Sequence, residues 1–84
     1  MIEFISKPET CIALGISYAT LDRQEKAGLI PPSISVSNQR KVKVKSEIEA
    51  IQIARINAED DDSIRELVTE LVKKRKELVS DNPK

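Results

Sequence analysis

The sequence contains no histidine, no tryptophan and a single cysteine, Cys11. With one thiol and no imidazole, a cysteine–histidine zinc site and a disulfide within the chain are both excluded. A lone cysteine in an apolar helical segment usually acts as a small buried hydrophobe, so we expect Cys11 in the core. Phe4 and Tyr18 are the only aromatic residues, so the core has to be built from Ile, Leu, Val and Ala.

Motifs of enzyme chemistry are also missing. The sequence has no glycine-rich phosphate loop and no nucleophile elbow. The acidic run at residues 60–62 lacks the ligand spacing and central glycine of an EF-hand. We interpret it as the acidic flank of a helix start, where carboxylates interact favourably with the helix dipole. We therefore expect a protein that is not an enzyme and that uses no metal or cofactor.

Long apolar runs are absent as well. No stretch approaches the roughly 20 apolar residues that cross a bilayer. Residues 1–5 lack the basic flank and the long apolar run of a signal peptide. We expect a soluble, cytoplasmic protein that does not contact a membrane.

What is present is charge, and it is unevenly distributed. The 84 residues suffice for one domain, and their formal net charge is zero. Residues 1–57 carry eight Lys/Arg against six Asp/Glu, whereas residues 58–84 carry six against eight. Four of the basic residues lie within positions 40–45, with no acid among them. A basic patch of this kind favours a nucleic-acid partner, although the net charge does not.

Two short helices are predicted near the N-terminus. Ser6 and Glu9 have the spacing of a capping box, and Gly15 can end the helix that they begin. Ser17 can cap a second helix, which Gly28 would end. Two short helices joined by a glycine-containing turn of about three residues predict a helix-turn-helix.

A hairpin and two further helices complete the prediction. Apolar and polar residues alternate at 34–36 and at 42–44 around a polar turn at 37–41, which predicts a β-hairpin. Capping boxes at Ser46 and Ser63 predict a helix to about Asn57 and a last helix over 63–79. We expect a frayed tail at residues 80–84.

The last helix carries one continuous apolar stripe with spacings of three and four. Such a stripe either packs back on its own domain or pairs with a second copy of the chain. The residues that would form a homodimer interface are Ile64, Leu67, Val68, Leu71, Val72 and Leu78.

The second helix and the hairpin hold the residues suited to binding DNA. In the major groove, arginine recognises guanine, glutamine recognises adenine, and small hydroxyl or methyl groups contact bases or phosphates. The candidates on the second helix are Ser17, Tyr18, Ala19, Thr20, Arg23 and Gln24. The candidates on the hairpin are Asn38, Gln39, Arg40, Lys41 and Lys43. Asp22 and Glu25 count against this interpretation, because acids repel phosphate, and the hairpin is also compatible with a charged β edge.

Several segments resemble the winged-helix proteins of the AlpA and excisionase type. The resemblance is carried by the segments at 4–9, 14–21 and 28–32, and 46–50 resembles the start of the helix after the wing in that family. Residues 20–31 are similar to the DNA-binding head of MerR-type proteins. The resemblance covers residues 2–57, about two thirds of the chain.

The resemblance implies an α+β, mostly helical fold: a winged helix-turn-helix with a small β-hairpin wing at residues 1–57. The segment at 58–79 has no counterpart in the shortest members of the family, and it is then an added helix that either dimerises or packs on its own domain. It also implies double-stranded DNA as the partner, with Ser17, Tyr18, Thr20 and Arg23 facing the groove and Arg40 and Lys41 in the wing. A regulator of this kind would act with RNA polymerase, and an excisionase with an integrase. The competing hypothesis is a protein-interaction adaptor that does not bind DNA. The zero net charge and the acidic C-terminal part support this hypothesis.

Overall fold

The computed structural model describes residues 2–80, with the side chains of residues 2–77. The elements, in chain order, are β1 (Phe4–Ile5), α1 (Lys7–Leu14), α2 (Tyr18–Lys26), β2 (Ile34–Ser35), β3 (Lys41–Val44), α3 (Lys45–Ile56) and α4 (Asp61–Ser80). The predicted α+β, mostly helical class is confirmed. Within the described part, no helix is both long and apolar enough to cross a membrane. Of the predicted tail at residues 80–84, Ser80 belongs to α4, and residues 81–84 lie outside the described residues.

Local hydrogen bonds begin and end α1 as the sequence predicts. Ser6 Oγ accepts from the backbone N–H of Glu9 at 3.2 Å, and Glu9 Oε1 accepts from the N–H of Ser6 at 2.9 Å. This is the predicted capping box. Gly15 ends α1 with a φ of 68°, and Gly28 follows α2 with a φ of 80°. Both helices therefore stop at residues that adopt the left-handed conformation without a Cβ clash.

The sheet has three antiparallel strands in the order β1-β3-β2. The predicted hairpin is present, with Ser35 opposite Lys41, so Lys41 belongs to the strand and the turn comprises residues 36–40. The N-terminal segment contributes a third strand, in which Phe4 lies opposite Val44. This pairing makes β3 the central strand, flanked on both sides.

Two predicted capping boxes are wrong because other residues satisfy the helix donors. At Ser46 the box is not formed, since α3 begins directly after β3 and the backbone N–H of Lys45 donates to the carbonyl of Glu3 at 2.8 Å. The last helix begins two residues earlier than predicted. The Asp60 carboxylate accepts from the backbone N–H of Ser63 at 2.8 Å. This hydrogen bond lowers the pKa of Asp60, so Asp60 takes the capping role predicted for Ser63.

One of two core clusters lies beneath the helix pair. Its buried members are Cys11, Leu21, Ile30 and Ile48. The expected burial of Cys11 is confirmed, at 7% exposure. Leu21 packs α2 against this cluster, and the opposite face of that helix is therefore directed toward solvent.

The second cluster incorporates α4 into the core. Ile64 is fully buried and Val68 is 8% exposed. They pack with Leu29, Ile51 and Ala54, while Leu67, Leu71 and Val72 are half-buried against the same cluster. The side chain of Leu78 lies outside the described residues.

The sequence left two alternatives for the apolar stripe of α4: packing on its own domain or pairing with a second copy. The buried residues of the stripe pack on their own domain. Ile64 and Val68 are enclosed by side chains from α3 and from the segment after α2, and they are not exposed for a second chain. The predicted dimer interface therefore loses these two members. The predicted domain boundary after residue 57 divides this cluster, because Ile51 and Ala54 lie before it in the chain and Ile64 lies after it.

A charged clamp holds the C-terminal half of α4 against α3. Arg75 Nη2 and Nε donate to the two carboxylate oxygens of Glu47 at 2.6 and 2.8 Å, and Nη2 also donates to the carbonyl of Pro32 at 2.8 Å. The Glu47 side chain is 6% exposed. Its hydrogen bond raises the pKa of Arg75. No local pattern in the sequence marks this pair, and in the fold Arg75 neutralises a buried acid.

We expect Arg75→Ala to lower the free energy of unfolding by about 2–4 kcal/mol, because it leaves the Glu47 carboxylate buried without a counter-charge. Urea denaturation followed by circular dichroism measures this. Lys73→Ala is the matched control, since Lys73 is exposed on the same helix with only a 3.9 Å pair to Glu70, and it should cost at most about 0.5 kcal/mol. Equal losses in the two variants would contradict the clamp.

Candidate nucleic-acid interface

Helix α2 presents one polar face to solvent. Ser17 caps the helix, its Oγ accepting from the backbone N–H of Thr20 at 3.2 Å. Leu21 is 1% exposed and holds the opposite side of the helix in the core. The exposed residues have the spacing of a single helical face and are Tyr18, Ala19, Asp22, Arg23 and Lys26.

A short hydrogen-bonded chain orients Arg23. Its Nη2 donates to Thr20 Oγ1 at 3.0 Å, and Ser17 Oγ donates to the same oxygen at 3.0 Å. Thr20 is half-buried, and its hydroxyl oxygen accepts hydrogen bonds from both of these neighbours. The structure thus brings three predicted residues together with separate tasks. Ser17 and Thr20 hold the helix start, and the Arg23 guanidinium lies over it.

Lys7 neutralises one of the two acids on α2. Its Nζ lies 3.1 Å from Asp22 Oδ1 and 4.9 Å from the centre of the Tyr18 ring. Nothing local in the sequence marks Lys7, because fifteen residues separate it from Asp22. With Lys7 beside it, the Asp22 carboxylate contributes much less repulsion toward a phosphate than an unpaired acid would.

Lys43 neutralises the other acid from inside the protein. It is 2% exposed, its Nζ donates to the carbonyl of Pro31 at 2.8 Å, and it forms an ion pair with Glu25. Burial lowers the pKa of Lys43, and the hydrogen bond that Lys43 donates to the Glu25 carboxylate opposes that shift. Lys43 was predicted as a DNA contact, and this is corrected: its ammonium ties β3 to α2, and the residue is too deeply buried to contact DNA.

The burial of Lys43 between two buried valines shows that both faces of its strand are covered. β3 has neighbours on both sides, and its residues Val42, Lys43 and Val44 are all buried. Alternating polarity usually predicts that the polar residue faces water. Here the side chain meets a carboxylate and a carbonyl instead, so no polar atom is left unpaired.

The hairpin turn is ordered by its own backbone. The N–H of Val36 donates to the carbonyl of Arg40 at 3.0 Å, and Ser35 Oγ donates to the carbonyl of Ser37 at 3.0 Å. All four predicted residues at this end are exposed: Asn38, Gln39, Arg40 and Lys41. Neither Arg40 nor Lys41 forms a salt bridge with any residue that the structure describes.

A groove of about 500 Å³ separates α2 from the hairpin, and we call it the α2–hairpin groove. Lys7, Asp22 and Glu25 line it from the helix pair. Asn38, Gln39, Lys41, Val42 and Lys43 line it from the hairpin. Of the predicted residues, those of the hairpin line this groove, except Arg40. None of the six residues predicted on α2 is among its lining residues.

The electrostatic balance of this surface differs from that of the whole chain. Both acids of α2 have lysine partners, at Lys7 and Lys43. The remaining cations of α2 and the hairpin are Arg23, Lys26, Arg40 and Lys41, all of them exposed, and of these Lys41 lines the groove. A surface of this kind can hold a polyanion, with hydrogen-bonding groups on the helix between the charges.

Other site chemistry is not assembled. In the part of the chain that the structure describes, no three Cys, Asp or Glu side chains are grouped as metal ligands. The acidic run at 60–62 serves the start of α4, as expected, with Asp61 and Asp62 in its first turn. Comparison with known proteins finds no family model, no curated protein and no solved structure that matches this chain.

Proposed function

We propose that this protein binds double-stranded DNA through α2 and the β2–β3 hairpin, as a winged helix-turn-helix. The observation that carries the proposal is the distribution of charge on α2 and the hairpin. Two cations remain exposed on each, Arg23 and Lys26 on α2 and Arg40 and Lys41 on the hairpin, while both acids on α2 are paired with lysines. This removes the main objection from the sequence, which was that α2 carries acids among its polar residues.

In the proposed complex the N-terminal part of α2 enters the major groove. Recognition helices contact base edges with the residues near their N-terminus, which here include Tyr18 and Ala19. Arg23, held by Thr20, is the candidate for a bidentate contact to guanine. Arg40 and Lys41 at the hairpin contact phosphates or the adjacent minor groove, as a wing does.

The biological role that fits such a protein is a small transcriptional regulator or a recombination directionality factor of a mobile element. Both roles use the same mode of DNA binding. They differ in the protein partner, which would be RNA polymerase for a regulator and an integrase for an excisionase.

The proposal is tested by fluorescence anisotropy with a labelled duplex of arbitrary sequence at several salt concentrations. We expect micromolar binding at low salt, weakening with a log–log slope of about −3, because the exposed Lys26, Arg40 and Lys41 contact phosphates. A protein without this function shows no binding at the lowest salt. That result would favour the protein-interaction adaptor.

A further inference from the structure

A second groove, of about 640 Å³, lies between α1 and α3, on residues that the proposed DNA surface does not use. We call it the α1–α3 groove. It is lined mainly by apolar groups, from Ala13, Leu14, Ile53 and Ile56. Ile53 is 59% exposed and Ile56 is 82% exposed. In a chain whose core consists of small aliphatic side chains, two isoleucines on one open face leave substantial apolar area in water.

The shape of this groove is fixed by the helices on either side. Gln52 Nε2 donates to the carbonyl of Ala13 at 2.9 Å, which ties α3 to the C-terminal end of α1. On the opposite side of α3, Ile48 and Ile51 are each 1% exposed in the two core clusters. Ile53 and Ile56 cannot turn inward, because that side of the helix is already packed.

The groove carries one acid and one base, both on α3. Glu49 lines it toward the N-terminal end of the helix, and Arg55 toward the C-terminal end. Six residues of α-helix place them about 9 Å apart along the axis. Arg55 has only a 3.8 Å pair to Asp61, in which both side chains are exposed, so little free energy holds it there.

We propose that the α1–α3 groove is a homodimer interface, occupied by the same groove of a second copy. Two copies of α3 lie antiparallel across a two-fold axis near Gln52 and Ile53. Ile56 of each copy packs against the partner helix, and the acid at 49 of one copy meets the base at 55 of the other. A two-fold interface has to be self-complementary, and an apolar strip with opposite charges at its two ends meets that requirement.

This inference replaces the last helix as the site of association. The stripe on α4 is taken up by the core, whereas the strip on α3 is open. The proposal goes beyond the DNA-binding function and does not depend on it. A dimer would form in the absence of DNA, and a monomer could still bind DNA.

The first test is analytical ultracentrifugation of the full chain without DNA. We expect a concentration-dependent dimer. Ile56→Lys should raise its dissociation constant by at least about 100-fold, because each dimer loses two buried isoleucines and gains two buried charges. Val36→Lys is the control, since Val36 is an exposed apolar residue of the hairpin and should leave association unchanged. Circular dichroism of each variant establishes that it is folded.

The second test is a charge exchange that folding effects cannot imitate. Glu49→Arg and Arg55→Glu should each weaken the dimer by about 10-fold, because like charges then meet across the axis. The double variant should return to within about 3-fold of the original dissociation constant, because the opposite charges meet again. A monomeric parent chain, a dimer unaffected by Ile56→Lys, or a double variant no better than the single ones would each overturn the proposal.

Discussion

Replacing Arg23 and Arg40 together by alanine is expected to weaken DNA binding by about 100-fold or more near 0.1 M salt. Arg23 supplies the candidate contact to a base, which is worth about 1–3 kcal/mol. Arg40 supplies a phosphate contact, so its loss should also make the salt slope less steep by about one unit. Arg40 forms no salt bridge within the described structure, and the hydrogen bond from Arg23 to Thr20 is exposed. The variant should therefore remain folded.

The two replacements should also differ from each other. Arg40→Ala should weaken binding to all duplexes by the same factor, whereas Arg23→Ala should matter most for a preferred sequence. The control is Lys73→Ala combined with Lys76→Ala, which removes two exposed charges from α4. If this control lowers affinity as much as the Arg23/Arg40 variant does, the assignment of the interface to α2 and the hairpin is wrong.

The largest effect on stability is expected for Ile64→Asp, which should abolish cooperative folding. Ile64 is fully buried at the contact of α4 with the core. A carboxylate there has no partner, and a domain of this size has only about 4–12 kcal/mol of stability in total. Circular dichroism and proton–nitrogen correlation spectra should show the loss of the thermal transition and of signal dispersion.

A matched control is offered by Ile56→Asp. Ile56 is the same residue type in a helix but is 82% exposed, so the same substitution should leave the monomer folded. Ile64→Val makes a smaller change to the packing, and we expect it to lower the free energy of unfolding by about 1 kcal/mol. A cooperative transition retained by Ile64→Asp would show that α4 is dispensable for the core, and that residues 1–57 fold alone.

Helix and turn signals in the sequence were reliable for the first two helices and the hairpin, whereas the capping boxes predicted at Ser46 and Ser63 do not form. The Ser6–Glu9 box, the Ser17 cap and the stops at Gly15 and Gly28 all involve residues within a few positions. The hairpin was found for the same reason, since its alternation and its turn are local. Such interactions leave a fixed spacing in the sequence, and that spacing can be recognised without knowing the fold.

The candidate DNA surface was only partly predictable. The exposed residues of α2 and of the hairpin turn follow from helical and strand periodicity. The burial of Lys43 does not, because it requires that β1 pair with β3 and that Glu25 lie beneath the strand. The neutralisation of Asp22 by Lys7 is likewise invisible at a separation of fifteen residues.

By itself, then, the sequence determined the helix pair, the hairpin and the absence of the residue types that zinc sites and disulfides need. The tertiary structure decided which charges are exposed and where the apolar stripe of α4 lies. It paired Arg75 with Glu47 across 28 positions and placed Ile64 against Ile51. The physical reason is that capping and alternation act over a few residues, whereas burial and ion pairing depend on which distant segments meet.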